Sequence, residues 1–507
     1  MNSSLKSMAK ITYFFFIFEH KLIIMKINRY LKYSTALLGI TPMLVSCDSK
    51  SDGELNVLLI AVDDLRPELG CYGETNIISP NIDAFAESGT MFRRAYCNVP
   101  VSGASRASLL TGTRPNRDRF IQFYSVAEED NPSATAISQW FKDNGYKTIS
   151  NGKIFHELRD WDDSWDELWR GKTACGTWYD YASDANIAAM QTAEKAGESF
   201  EILDVSDDVY LDGKTANKTI EDLKKLAESG ERFFLGAGFL KPHLPFNAPK
   251  KYWDMYPRED IVLPDNYKQG KGTGNKPDVA FWAQHNWSEL RHYTDIPKNG
   301  PLDEEKAKDV IRGYMASVTY TDAMIGKILN TLEETGLAEN TVVLLFGDHG
   351  WLLGEHGLWC KHSNFEPALN TPLIIRSPKL KGEKVVEQIV EYVDIYPTLC
   401  DLANIELPTH LDGSSLKGLM KGETEGWKNY AIAKYQNGTT YIEGDYFYTE
   451  WRHKDTGKYL GRMLYDRTID PEENTSLIKD PKYQEVVKDM KTKLEQRRGF
   501  DYEVTRE

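Results

Sequence analysis

Four short apolar runs in this chain each end in side chains that can bind a cation, carry charge or move a proton. Leu55–Val62 leads into Asp63 and Asp64, and the run ending at Ser150 leads into Lys153 and His156. Phe233–Phe239 leads into Lys241 and His243, and Val342–Phe346 leads into Asp348 and His349. Asp63, Asp64 and Asp348 offer hard carboxylate oxygens, a donor set for Ca2+, with Mg2+ as second choice, rather than for zinc. His349 completes that shell or donates a hydrogen bond beside it. A fifth group is Ser102, at the head of Ser102-Gly103-Ala104-Ser105-Arg106, where a helix is expected to start near Ala104. The amides of a helix N-terminus favour an anion. A cation beside Ser102 would polarise an ester and acidify a bound hydroxyl. Arg106, Lys153, His156, His243 and Lys361 would add fixed positive charge and proton donors around a developing anion, usually the largest catalytic contribution.

Each group alone has an ordinary structural explanation. An Asp pair after a strand caps a helix or makes a turn. Lys153 and Lys361 would be solvated, Arg106 would pair on a helix surface, and His156, His243 and His362 would be structural. The joint pattern, at four strand exits plus one helix start, points instead to a single site.

The elements that must position these groups follow from hydrophobic patterning. Leu55–Val62 reads as a strand buried on both faces, and Lys147–Ser150, Phe233–Phe239, Val342–Phe346 and Leu373–Ile375 are similar. Ile311–Glu334 and Val390–Ala403 read as amphipathic helices. Alternating strands and helices predict an α/β fold on a mostly parallel sheet, with ligands beyond the carboxyl ends of its strands. From about Trp427 the texture changes to short aromatic segments, Tyr430–Lys434, Thr440–Ile442 and Tyr446–Trp451, which predict a small antiparallel sheet. A charged helix, Lys482–Arg498, follows. The expected organisation is 1–47 as an upstream extension plus signal peptide, 48–425 as the catalytic domain, and 426–507 as an α+β subdomain.

With 507 residues, 41% hydrophobic and 27% charged, the chain has the composition of a large globular protein. Its formal net charge of −15 makes nucleic acid a poor partner, while a small anionic ester can still enter a local basic pocket. From Met25 the sequence has a basic start, a short apolar run and Leu44-Val45-Ser46-Cys47, resembling a bacterial lipobox with Cys47 as the lipidated residue. This predicts an exported lipoprotein of the periplasm or outer-membrane surface, touching membrane only through that lipid. Residues 1–24 carry Glu19, His20 and Lys21 among apolar residues, and are expected to come from an upstream start codon. Cys71, Cys97, Cys175, Cys360 and Cys400 are scattered without a CxxC pair, so no metal-cysteine site or disulfide framework is signalled.

Several of these segments resemble type I sulfatases, the formylglycine-dependent members of the alkaline-phosphatase superfamily, and among them the iduronate-2-sulfatase branch. The Ser102–Arg106 stretch, continued to Thr111-Gly112 and Arg114-Pro115, resembles the family signature. Val62–Gly73, Gly152–His156, Lys241–Phe246, Gly347–Gly357 and Lys361 with Ser363–Phe365 match in family order. The resemblance implies an alkaline-phosphatase-like α/β fold with a smaller C-terminal domain of antiparallel sheet plus helix. It implies Ca2+ held by Asp63, Asp64, Asp348 and His349 together with Ser102 converted to formylglycine (3-oxoalanine). Arg106 and Lys153 would steady the hydrated aldehyde as it attacks sulfur, and His156 would help release the sulfated hemiacetal. His243 and Lys361 would hold the sulfate, one of them protonating the leaving alcohol.

The implied substrate is a 2-O-sulfated uronic acid at the non-reducing end of heparan- or dermatan-type fragments. Trp351 would line the sugar pocket, and Lys434 or Arg452 would read the uronate carboxylate. The sequence departs from the signature in two places. Serine replaces the common cysteine, which fits an anaerobic sulfatase-maturing enzyme as partner, and Ala104 replaces the usual proline. Three other readings stay open: a sulfatase for another carbohydrate sulfate, a serine phosphoester hydrolase of the same superfamily, and an inactive glycan-binding lipoprotein.

Overall fold

The run Asn56–Val62 (β1) is buried along its whole length. Its alternate residues Val57, Leu59 and Ala61 enter one apolar core, and Leu58, Ile60 and Val62 enter another. A strand apolar on both faces is the central strand of a sheet covered on two sides. The computed structural model describes residues 55–497 apart from 174, 176–178, 193–195, 268–286, 381 and 383. The expected signal segment 1–47, with Cys47, lies outside the described residues.

The remaining strands of the large sheet are β2 (Thr90–Tyr96), β3 (Lys147–Gly152), β4 (Glu167–Trp169), β5 (Phe233–Phe239), β6 (Thr341–Gly347), β7 (Leu373–Arg376) and β8 (Val385–Glu391). They lie in the order β8-β2-β7-β6-β1-β5-β3-β4. β6, β1, β5, β3 and β4 run parallel in one block. Only β7 is antiparallel to its neighbours β6 and β2, so β2 again runs with the block, as does β8 beside it. The mixed, mostly parallel α/β sheet expected from the sequence is what forms. Three strands escape the apolar-run reading. β2 and β8 carry polar residues toward partly exposed faces, and β4 is a short edge strand.

One expectation needs correcting. Val390–Ala403 is not a single helix: β8 continues through Glu391, and the helix spans Ile395–Ala403. The break comes from a reciprocal cap in which Glu391 N donates to the Asp394 carboxylate at 2.8 Å. The other long helix is longer than read, Glu304–Glu334, because Asp303 caps it by accepting from Lys306 N at 2.8 Å.

The C-terminal strands β9 (Tyr430–Tyr435), β10 (Gly438–Glu443), β11 (Tyr446–Arg452) and β12 (Tyr459–Asp466) form an antiparallel meander. The helix Gln484–Arg497 packs on it through Val487, Met490 and Leu494. Ala431, Ala433, Tyr448 and Leu464 of this sheet share one apolar core with Val57, Leu344 and Leu399. The change of texture near Trp427 therefore marks a change of sheet, and the packing continues across it. Among the described residues no helix is long and apolar enough to cross a membrane. Cys71, Cys97, Cys175, Cys360 and Cys400 are all free thiols.

Candidate active site

β6, β1, β5 and β3 are adjacent and parallel, so their carboxyl ends open on one edge, and β2 ends on the same edge. Asp63 N donates to Phe239 O at 3.2 Å and Asp348 N to Val62 O at 3.1 Å, continuing the sheet ladder into the loops that carry the acids. Asp64 sits in the left-handed region at φ 65°, which Asp tolerates better than most residues. Its amide donates to Asp348 Oδ1 at 3.0 Å, and its carbonyl accepts from Tyr314 Oη at 2.8 Å.

Ser102 is the first residue of the helix Ser102–Thr111, two residues earlier than expected. Its Oγ lies 3.0 Å from Asp63 Oδ1 and 2.9 Å from His349 Nε2. The other ring nitrogen of His349 lies 3.0 Å from the Gly350 carbonyl. A carbonyl only accepts, so Nδ1 is the donor and Nε2 presents its lone pair to Ser102. Gly103 is required beside it, because a Cβ there would stand 1.8 Å from Phe123 O.

The cations are threaded among the acids. Lys153 Nζ pairs with Asp63, and Lys361 Nζ donates to the two oxygens of Asp64 at 3.0 and 3.2 Å. Arg106 Nε donates to Asp348 Oδ2 at 2.8 Å, and its Nη1 donates to the carbonyl oxygens of Lys153 and Ile154. Arg106 thereby ties the exit of β3 to that of β6. Burial raises the Asp63 carboxyl, but Lys153, His243 and Arg106 together hold it well below the usual range. At Asp64 burial outweighs Lys361 and leaves the carboxyl raised. Burial, then Lys153, pushes the His156 imidazole well below its ordinary value, so it is neutral. Burial also lowers the Lys153 ammonium against the pull of Asp63.

Asp63, Asp64, Asp348 and His349 can each offer one ligand atom within 4.8 Å of the others, all four residues being buried. The donor set suits a hard divalent cation: carboxylate oxygens plus an imidazole lone pair already aimed inward. Charge fits as well. Asp63, Asp64, Asp348 and Glu289 are interleaved with Arg106, Lys153, Lys361 and His243, and a divalent cation would add positive charge for an anionic ester. Arg106 Nη2, buried without a hydrogen-bond partner and 3.5 Å from Asp63 Oδ1, leaves one donor in reserve.

Glu289 is the residue that sequence reasoning missed. It lies on the four-residue helix Ser288–Arg291, far from any strand exit, so no pattern marks it. Its Oε1 accepts from Lys361 Nζ at 2.9 Å and faces His243 Nε2 at 3.0 Å. Burial raises its carboxyl, but Lys361 and His243 hold it well below the usual range. His362, read as a structural candidate, also reaches this cluster, with Nδ1 3.9 Å from Glu289 Oε2 and its ring 5.9 Å from that of Tyr435. Lys241 does not join it: its ammonium donates to the carbonyls of His243 and Pro245 and staples its own loop.

Two of the three residues expected at the sugar sit differently. Trp351 is 1% exposed, packs against Phe246, and lies 4.9 Å beneath the Lys361 ammonium, so it is the floor under that lysine and not a pocket wall. Arg452 is held by Glu450 at 2.6 Å and reaches toward Glu495 on the C-terminal helix Gln484–Arg497. Lys434 is buried on β9, with its amide bonded to Asn98 O in the segment that leads to Ser102.

Comparison with known proteins gives the following. The family model described as Sulfatase matches residues 55–405, and one described as N-sulphoglucosamine sulphohydrolase, C-terminal, matches residues 354–499. The chain is 34% identical to the iduronate 2-sulfatase of Mus musculus over 400 residues, covering 70% of this chain and 69% of that one. A solved 2-O GAG sulfatase shares the fold at TM-score 0.66 and 22% identity, over 88% of this chain and 92% of the other. A phosphonate monoester hydrolase from Silicibacter pomeroyi does so at TM-score 0.74 and 22% identity, over 89% and 96%.

Proposed function

The chain belongs to the sulfatase family and is a sulfuric ester hydrolase, and within that activity we propose that it removes the 2-O-sulfate from a non-reducing-end uronic acid of heparan- or dermatan-type fragments. The observation that carries this reading is the placement of Ser102. Its Oγ stands between Asp63 and His349 at the head of a buried helix. The similarity to iduronate 2-sulfatase supports the uronate substrate.

In this reading Asp63, Asp64, Asp348 and His349 hold Ca2+, and Ser102 is matured to formylglycine by an anaerobic sulfatase-maturing enzyme. Bound there, the cation and the hydrated aldehyde supply a polarised sulfate and an activated oxygen nucleophile. The chain's own residues do the rest. Asp63 orients the Ser102 side chain and pairs with Lys153. Arg106 fixes the two loops against each other. His156, buried and neutral, is placed to accept a proton. Lys361 and His243 present N–H donors to the sulfate oxygens and to the departing alcohol. Lys434 remains the candidate for the uronate carboxylate. Ala104, inside the helix where the family has proline, favours helix continuity. We propose export through Cys47 as a periplasmic or outer-membrane lipoprotein.

The test is mass spectrometry of the Ser102 peptide from the native anaerobic host, with assays on 2-O-sulfated unsaturated uronate disaccharides and 6-O-sulfated hexosamines. A peptide lighter by two hydrogens, an aldehyde reactive to hydrazide and preference for the uronate are expected. Unmodified serine from the native host overturns the formylglycine mechanism, and the reverse preference overturns the substrate.

A further inference from the structure

Glu289 places a carboxylate where an anion is expected to bind, and its two oxygens are in different situations. Oε1 accepts from Lys361 at 2.9 Å and faces His243 Nε2 at 3.0 Å, which accounts for neutralising those groups. Oε2 is buried and makes no hydrogen bond, its charged neighbour being His362 Nδ1 at 3.9 Å. Leaving a buried acceptor unmade costs on the order of 1–3 kcal/mol, more for a charged group, so one oxygen is better satisfied than the other. The carboxylate stands within 4.8 Å of Asp64 and His243 ligand atoms, at the border of the reacting cluster.

The element carrying it is firmly anchored. Trp287 and Leu290, on either side, are 5% and 1% exposed. The Arg291 guanidinium lies 3.2 Å over the Trp287 ring and donates to the carbonyls of Pro297 and Gly300, each at 2.7 Å. Glu289 is thus a fixed acceptor and cannot easily swing away to solvent.

We infer that Glu289 Oε2 reads a hydroxyl on the ring carbon next to the one bearing the sulfate, so that the site selects sulfate esters of vicinal diols. The inference rests on the uronate reading above, in which Lys361 and His243 hold the sulfate and the alcohol oxygen. Oε1 contacts those two groups, so the second oxygen of the same carboxylate lies one position farther along the substrate. On a 2-O-sulfated uronate that neighbour is the 3-hydroxyl, an O–H donor for a carboxylate oxygen that makes no hydrogen bond. A site built around such a hydrogen bond rejects an analogue lacking it far more strongly than a hydrophobic contact would.

The experiment compares mature wild type and Glu289→Gln on a 2-O-sulfated uronate disaccharide and its 3-deoxy analogue, reading kcat/KM for each. Wild type is expected to prefer the hydroxylated substrate by about 100-fold or more. In Glu289→Gln the amide carbonyl turns to Lys361 and His243, an NH2 replaces Oε2, and the preference is expected to fall to a few-fold. Equal losses on both substrates, with the ratio unchanged, would show that Glu289 only positions His243 and Lys361, and would overturn the inference alone. If wild type turns over another sugar sulfate but no 2-O-sulfated uronate, the substrate reading falls and this inference with it. Should Glu289→Gln fail to fold, Glu289→Asp, which withdraws the carboxylate, is measured in the same ratio.

Discussion

Ser102 Oγ and His349 Nε2 stand 2.9 Å apart although 247 positions separate them in the chain. The contact depends on two strand exits: β2 delivers Ser102 through the segment 97–101, and β6 delivers His349. His349 Nδ1 is occupied by the Gly350 carbonyl, which fixes the tautomer and leaves Nε2 facing the hydroxyl. Asp63 flanks the same oxygen from β1. Several acidic and basic groups therefore depend on one another at this point, and perturbing one shifts the others.

Asp63→Asn removes the partner of Lys153 and one expected cation ligand. Activity should fall at least about 100-fold, the upper end of what outer-shell partners of a metal contribute. The rise in melting temperature on adding Ca2+ to chelator-treated protein should also vanish, because a site that no longer binds gives no linkage. Differential scanning fluorimetry with and without Ca2+ checks this. A variant that keeps both activity and the Ca2+ shift removes Asp63 from the cation site.

Gly103→Ala would drive a Cβ to 1.8 Å from Phe123 O, a backbone atom that cannot turn aside. Either the 120s loop or the start of the helix Ser102–Thr111 must move. Misplacement on the ångström scale costs about 100-fold in rate, so kcat should fall by at least that with a retained fold. Circular dichroism together with steady-state kinetics distinguishes this from unfolding, and wild-type kinetics would contradict the contact.

Glu391, fully buried, accepts from Arg114, Lys428, Asn98 Nδ2 and Ile432 N, and so joins β8, the segment before Ser102 and the C-terminal sheet. Burial alone would raise its carboxyl, but Arg114 and Lys428 hold it well below the ordinary range. The stabilisation is therefore present above the usual carboxylate pKa and is lost as pH falls. Glu391→Ala should cost about 3–5 kcal/mol by urea denaturation, the range for breaking one side of a buried ion pair. A loss below about 1 kcal/mol would mean the network is not a structural tie.

Glu473 behaves oppositely. It is buried with Oε1 unpartnered, and burial, only partly offset by Arg467, pushes its carboxyl from 4.5 up to about 8. A raised acid stabilises the fold most below its unfolded value and loses that contribution as pH rises toward the folded one. The slope is at most about 1.4 kcal/mol per pH unit. Melting temperature should thus decline between about pH 5 and about pH 8, and Glu473→Gln, an uncharged isostere, should flatten the decline. An unchanged profile in the variant would assign the decline to other groups.

The sequence by itself determined the central sheet and most of the side chains that meet at its carboxyl edge. β1, β5 and β6 are legible because a strand buried on both faces must be a continuous apolar run, and a parallel sheet must present its loop residues at one edge. That rule alone brings Asp63, Asp64, Lys153, His156, His243, Asp348 and His349 together. Tertiary structure decided what no local pattern encodes. Glu289 enters from a short helix whose position depends on buried Trp287 and Leu290, Trp351 becomes a floor because Lys361 lies over it, and Arg452 is captured by its neighbour Glu450. β2 and β8, whose apolar runs are interrupted by Arg93-Arg94 and Glu387-Gln388, are strands because hydrogen-bonding neighbours complete them. Backbone geometry and hydrophobic period are written along the chain, whereas side-chain pairing between distant segments is settled only when the folded loops meet.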